Sequence, residues 1–250
     1  MTRIFVNAVA ASEGGALTIL KQFLHNVDAR DVILAFVPDD RLKNQFESSK
    51  IQFICTGRQK GISRIFWDYF GLYFWSIKNN ISPDLIVSLQ NTPVGGFGNI
   101  PQVIYLHQAI PLSEQKWSLR SRSQRVFWFY KHLYPFFMRG LTGKNKYYVC
   151  QAEWMRGMYA VLLGVPAAKI RSFSPDFDLS SQEIEVSCPE PKNRFFIYPA
   201  HPFVYKNHIL LLEAVRLIKV RYPASFYKIK ILLTLERDSC SNLYAVASEL

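Results

Sequence analysis

Short apolar runs alternate along the chain with longer stretches whose apolar positions recur at helical spacing. Residues 3–9, 32–37, 51–55, 84–88, 102–106, 146–150 and 169–173 are rich in Val, Ile, Phe and Tyr and predict strands. The intervals predict helices over 16–27, where Leu17, Leu20, Phe23 and Leu24 share a face, and over 39–49, 62–78, 113–133 and 153–163. Gly164 is placed to end the last of these. Pro135 is expected to stop or kink the one before it, since proline lacks an amide donor and clashes with the preceding turn. Strands alternating with helices predict an α/β fold, a parallel sheet covered on both faces.

Residues 175–193 lack periodicity and carry Pro175, Pro189 and Pro191, so they read as a linker. A second α/β unit begins at Arg194: a strand, a helix to about residue 222, a strand over 228–234 and an incipient helix. Its opening is the most informative part of the chain. The run Phe195-Phe-Ile-Tyr198 is a strand ended by Pro199 and Pro202. Lys206-Asn207-His208 then leads into a helix with apolar positions at Leu210, Leu211, Ala214, Val215 and Ile218. Ligands of open α/β sheets bind beyond the carboxyl ends of strands, and a lysine at a helix start adds charge to amide groups already suited to an anion. The arrangement predicts a phosphate site.

Nearly half the residues are apolar (49%) and 20% are charged, enough to bury a sizeable core. The four cysteines (Cys55, Cys150, Cys188 and Cys240) show no C-x-x-C spacing and suggest neither a disulfide scaffold nor a zinc site. Cys55 and Cys150, at the ends of apolar runs, are expected to be buried thiols in a reducing compartment. No signal peptide is expected, and no run approaches the ~20 apolar residues of a membrane span. The location expected is cytoplasmic.

The net charge of +11 is unevenly placed. Residues 116–146 carry eight Lys or Arg, no acid, and the aromatics Trp117, Phe127, Trp128, Phe129, Tyr130, Tyr134, Phe136 and Phe137. That mixture suits an anionic membrane surface. Nucleic acid is not expected, because no helix-turn-helix, RNP or zinc-finger pattern is present. A second aromatic cluster, Phe66 to Trp75, is expected to be a helix face packed on the sheet.

Glu13-Gly14-Gly15 lies between a strand and a helix, where glycines let amide groups approach a ligand; a tight turn is the other reading. It is not G-x-G-x-x-G, which disfavours a nicotinamide-dependent enzyme. His107 ends a strand as an exposed imidazole able to hydrogen-bond a sugar hydroxyl or phosphate and expected to titrate near neutrality. Gln90-Asn91-Thr92 ends the preceding strand at a parallel level, and its polar side chains suit an acceptor or a turn before Pro93. Gly95-Gly-Phe-Gly98 reads as a flexible loop, and Asp176-Phe-Asp178 as linker rather than a metal pair. H-E-x-x-H, G-x-S-x-G and the P-loop are all missing.

Residues 195–214 resemble the start of the second domain of retaining nucleotide-sugar glycosyltransferases of family 4, in which a strand and loop precede Lys-Gly-His or Lys-Asn-His. The resemblance implies two Rossmann-like doubly wound domains of the GT-B type, the second incomplete. Residues 1–178 would be the acceptor-side domain, 179–193 the linker and 194–250 the start of the nucleotide-sugar-binding domain. It implies that Lys206 binds the donor diphosphate with Gly14 and Gly15 opposite. His107 would act in catalysis near the transferred sugar, and Asn91, His201 and Asn207 would be further substrate contacts. Neither metal nor cofactor is implied; the nucleotide-diphosphate sugar is the donor substrate.

This chain departs from the family at Ala200-His201, where many members carry Gly-Arg, and at Gln108, where Asp is frequent. The family's Glu-x7-Glu signature would fall beyond Leu250, so the isolated chain is expected to show little transfer. The implied partners are the nucleotide-sugar donor, a lipid-linked glycan acceptor of a bacterial surface polysaccharide pathway, and an anionic membrane surface. The basic aromatic segment would dock at the inner face of the cytoplasmic membrane. A non-catalytic, membrane-peripheral component of a polysaccharide assembly complex is the alternative.

Overall fold

The computed structural model describes residues 1–59, 61–174, 194–236 and 240–249. The chain forms two compact units, Met1–Phe177 and Asp178–Leu250. The expected linker, Asp176-Phe-Asp178 and Cys188 lie outside the described residues.

The first unit runs β1 (Arg3–Asn7), α1 (Gly14–His25), β2 (Val32–Val37), α2 (Lys43–Phe46), β3 (Ile51–Cys55), α3 (Ile62–Phe66), a π turn (Trp67–Gly71) and α4 (Leu72–Asn79). It continues with β4 (Leu85–Ser88), β5 (Gln102–Leu106), α5 (Arg125–His132), α6 (Tyr134–Gly140), β6 (Lys146–Cys150), α7 (Glu153–Leu163) and β7 (Ile170–Ser172). The strands form one parallel sheet in the order β3-β2-β1-β4-β5-β6-β7, with Phe5 opposite Leu34 on one side and Ile86 on the other. Chain order runs outward in both directions from β1 and β4. The switch point therefore lies between these two strands, and the crevice beyond their carboxyl ends is where such sheets bind ligands.

Apolar runs buried on both faces make these strands. Ile33 to Val37 are all buried, as parallel strands covered by helices require. Leu20 and Leu24 of α1 cover one face with Val6, Ile33 and Ala35. Leu72 of α4 covers the other with Phe5, Phe36 and Ile86. A third cluster joins Ile104, Leu106, Tyr134, Met138, Tyr148 and Tyr159 across β5, β6, α6 and α7. Gly164 caps α7 in the left-handed conformation, with φ 65°.

Two predicted helices are shorter than their patterns. Residues 113–124 are not helical, because side chains there bond local backbone instead. The Ser113 and Ser118 hydroxyls accept from the Gln115 and Arg120 amides at 3.1 and 3.2 Å, and Gln124 Oε1 accepts from the Ser118 amide at 2.9 Å. The segment over 39–49 keeps only α2; Arg41 grips Asp39 at 2.7 Å and donates to the Ser12 carbonyl at 2.6 Å, fixing a loop. Pro135 sits in the first turn of α6, so the chain breaks and restarts there. Cys55 is exposed, contrary to expectation, while Cys150 and Cys240 are buried.

The second unit runs β8 (Arg194–Tyr198), a 3₁₀ turn (Val204–Lys206), α8 (His208–Arg221), α9 (Pro223–Phe226), β9 (Ile229–Leu233) and α10 (Ser241–Ser248). β8 and β9 pair in parallel with Phe196 opposite Ile231. Among the described residues no helix is long and apolar enough to cross a membrane.

Candidate functional site

The carboxyl edge of the first sheet carries a polar cluster at its switch point. Asn7, the last residue of β1, is fully buried and donates from Nδ2 to Asp68 Oδ1 at 2.7 Å. Its Oδ1 accepts from Trp67 Nε1 at 3.1 Å. Thr92, beyond β4, donates to Asp68 Oδ2 at 2.7 Å. Asp68 lies in the π turn between α3 and α4; such wide turns add a residue to a helix and gather at functional sites. Burial pushes the Asp68 carboxyl up to about 6, against the pull of Arg64, Thr92 and Asn7.

Arg64 stands one turn earlier, its Nε 3.8 Å from Asp68 Oδ2 and its side chain 12% exposed. Its Nη2 donates to the Gln90 carbonyl at 2.8 Å and to the Tyr134 hydroxyl, and its Nη1 reaches the Tyr130 hydroxyl at 3.5 Å. Among the described residues its Nε has no hydrogen-bond partner. Burial opposes the guanidinium charge, but Tyr134 and Asp68 outweigh it and hold the group protonated. Tyr134 also donates to the Gln90 carbonyl at 2.7 Å, and burial pushes its hydroxyl up to about 12. The Gln90 side-chain oxygen, in the orientation that satisfies both ends of the amide, accepts from the Val9 and Ala10 amides at 3.2 Å. That contact ties the loop after β1 to the end of β4.

Asn91 and His107 meet on the same edge. Asn91 is 4% exposed and left-handed, with φ 64°. Its Oδ1 accepts from the His107 amide at 2.7 Å and the Gln108 amide at 3.0 Å, and its Nδ2 is 3.4 Å from His107 Nε2. The side-chain oxygen is thus committed to positioning the end of β5. His107 is partly buried rather than exposed. Burial, with Arg64 nearby, pushes its pKa down to about 4, so the imidazole is neutral at pH 7 and does not titrate near neutrality as expected. It can donate or accept a hydrogen bond there, but it brings no charge to a phosphate.

Gly14 begins α1 with φ 61°, a conformation for which glycine is suited, and open space surrounds both Gly14 and Gly15. Their amides belong to an uncovered helix N-terminus. Glycines 95 and 96 serve packing instead. A Cβ on Gly95 would meet the Tyr69 carbonyl at 2.3 Å, and one on Gly96 the Tyr73 ring at 2.3 Å. Val94 is anchored both ways to the Gln102 amide at 2.8 Å, and the Gly95 amide donates to the Asp68 carbonyl at 2.9 Å. The loop is therefore clamped against the π turn, correcting the expected flexible loop.

In the second unit β8 ends at a turn that delivers Lys206 just ahead of α8. Asn207 caps α8 from the left-handed conformation, its side chain accepting from the Leu210 amide at 3.4 Å. The Tyr198 hydroxyl donates to the Lys206 carbonyl at 2.6 Å. Lys206 Nζ lies 5.4 Å from the Tyr205 ring centroid, and that ring stacks on Phe203. His201 is exposed beside Phe203. His208 is buried against Tyr198.

A cavity of about 720 Å³ opens beside the switch point of the first unit. Ser12 and Glu13 from the loop before α1, Arg58 and Gly61 after β3, Arg64 of α3 and Arg125, Val126, Phe129 and Tyr130 of α5 contribute to its walls. Arg58 bonds Ser12 Oγ at 2.9 Å and Glu13 at 3.3 Å. The sequence reading missed Arg58, Arg64 and Asp68. One signal was available: Arg64 and Asp68, spaced i,i+4, are the only charges in the apolar stretch 62–77. Among the described residues no group of three His, Cys, Asp or Glu is arranged to hold a metal.

The aromatic clusters divide differently from expectation. Trp67, Tyr73 and Trp75 pack into the core, but Phe66, Phe70 and Phe74 are 57%, 49% and 57% exposed. Within 116–146, Trp117 and Tyr134 are buried, whereas Val126, Leu133 and Phe136 are exposed.

No protein-family model and no curated protein sequence matches the chain. Solved structures do. The Anabaena Alr3699/HepE protein, crystallised with UDP and glucose, aligns with a TM-score of 0.60 at 14% identity, covering 100% of this chain and 66% of that one. Arabidopsis thaliana UGT89C1, complexed with UDP-L-rhamnose, aligns with a TM-score of 0.52 at 10% identity, covering 94% and 69%. This chain thus spans about two thirds of either structure. The likeness shows the fold: two Rossmann-like α/β units of the GT-B type.

Proposed function

We infer that this protein takes part in transferring a sugar from a nucleoside-diphosphate donor to a hydroxyl of a lipid-linked glycan. The observation that carries the reading is the turn after β8, which sets Lys206 immediately before the Asn207-capped α8. An ammonium beside helix amides is suited to a diphosphate. The open Gly14-Gly15 amides at α1 are a proposed diphosphate contact of the first unit, and His201 and Asn207 are proposed donor contacts of the second. UDP-bound structures of the same fold support the nucleotide class.

The step proposed is retaining and metal-independent. The bond between the anomeric carbon and the diphosphate oxygen breaks, and the acceptor oxygen bonds to that carbon on the same face. The acceptor proton passes to the departing diphosphate. Lys206 would stabilise the charge on the leaving group, which is where electrostatic catalysis contributes most. Neutral His107, held by Asn91, would orient a sugar hydroxyl. The exposed phenyl rings and basic residues of α3 to α6 support peripheral docking at the inner face of the cytoplasmic membrane.

Calorimetric titration of the purified chain with UDP tests the donor half. Saturable binding that falls roughly tenfold in Lys206→Ala is expected, as for loss of a charge-assisted contact. Wild-type binding unaffected by this substitution would refute the assignment. Transfer from labelled UDP-sugars to a glycolipid acceptor then tests the reaction itself.

A further inference from the structure

We propose that the cavity beside the switch point binds the diphosphate ester of a hydrocarbon alcohol, with Arg58 and Arg125 on the anion and Ile62, Val126 and Phe129 on the chain. The inference rests on the transferase reading and names the part of the acceptor that this unit holds.

The cavity has two chemically distinct walls. Among the described residues, three guanidiniums line it against one carboxylate, Glu13, which is paired with Arg58. Arg64 adds a third positive charge to the wall but is already committed: its Nε pairs with Asp68 at 3.8 Å, and its Nη groups donate to the Gln90 carbonyl and the Tyr130 and Tyr134 hydroxyls. Arg125 donates from Nε to the Leu119 carbonyl at 3.0 Å and has no acidic partner among the described residues. Clustered guanidiniums with spare positive charge suit phosphate oxygens, which accept several charge-assisted bonds.

The other wall is apolar and open to solvent. Ile62 is 84% exposed and Val126 58% exposed, at the rim of the same cavity. Outward-facing Phe66 lies one helical turn beyond Ile62 and Phe70 one turn beyond that. An inorganic anion would leave these groups in water. An anion joined to a hydrocarbon chain covers them and gains about 25 cal/mol per Å² of apolar surface. A cavity of about 720 Å³ lies within the usual range for a small ligand.

The test titrates the full chain with farnesyl diphosphate, inorganic pyrophosphate, farnesol and UDP. Farnesyl diphosphate is expected to bind at least tenfold more tightly than pyrophosphate or farnesol. Arg58→Ala and Arg125→Ala, both on exposed side chains, should each weaken it about tenfold and leave UDP binding unchanged. Val126→Asn should weaken farnesyl diphosphate but not pyrophosphate. Equal binding of pyrophosphate and farnesyl diphosphate would overturn the hydrocarbon assignment. Arginine variants that lose UDP instead would make the cavity a donor site and overturn the proposal, as would no binding of farnesyl diphosphate. Lys206→Ala separates the readings: loss of UDP with farnesyl diphosphate retained supports both. Failure of UDP to bind at all would sink the donor reading and leave this cavity assigned.

Discussion

Asn91 Oδ1 accepts the backbone N–H of His107 at 2.7 Å, so the end of β4 sets the position of the imidazole at the end of β5. The bond is partly buried, and the same oxygen serves the Gln108 amide. Replacing Asn91 by Ala orphans two amides and leaves a left-handed residue without its side-chain compensation. A loss of about 2–4 kcal/mol in urea unfolding is expected. Asn91→Gly relieves the backbone but not the amides, and should recover only part of that loss.

His107 is predicted to be neutral down to about pH 4 in the native state. Its folded pKa is depressed below the unfolded 6.5, so its contribution to stability is present above pH 6.5 and is lost as pH falls toward 4. An NMR titration of the imidazole checks this. A native pKa near 6.5 would show that burial does not hold the ring neutral.

Asp68 should act in the opposite sense. Its folded pKa is raised to about 6, so its contribution is full below about pH 4 and is lost as pH rises through 6. Between pH 4 and 6 the two groups partly cancel. Asp68→Asn should unmask the His107 slope, and His107→Gln the Asp68 slope, in thermal unfolding followed across that window.

Gly95→Ala puts a methyl 2.3 Å from the Tyr69 carbonyl. Backbone must move, with an expected cost of about 1–3 kcal/mol or more. Chemical denaturation of this variant beside Gly98→Ala, where open space receives the methyl, separates the clash from a general glycine effect.

The exposed phenyl rings carry a prediction about membranes. Phe70→Asp and Phe136→Asp should each lower binding to vesicles containing phosphatidylglycerol by roughly tenfold, with unfolding unchanged because both rings face solvent. Sedimentation with vesicles of that composition, against pure phosphatidylcholine, measures it.

All seven strands of the first sheet could be read from the sequence because each is a compact apolar run. The helices were less legible. Serine and glutamine side chains compete with helix over 113–124, and periodicity does not register that competition. Lys206, Asn207 and their turn stood out because Pro199 and Pro202 mark the loop. The Arg64–Asp68 pair did not, since its meaning depends on Asn7 and Thr92, which are remote in sequence and adjacent only once β1 and β4 pair.

The widened turn at Trp67–Gly71 has a consequence for chain length. One residue more than an α-helix needs lets Asp68 face inward while Phe66 and Phe70 on either side face solvent. Deleting a single residue there would rotate everything downstream by about 100° and exchange what is wet for what is dry. This helix is therefore intolerant of trimming.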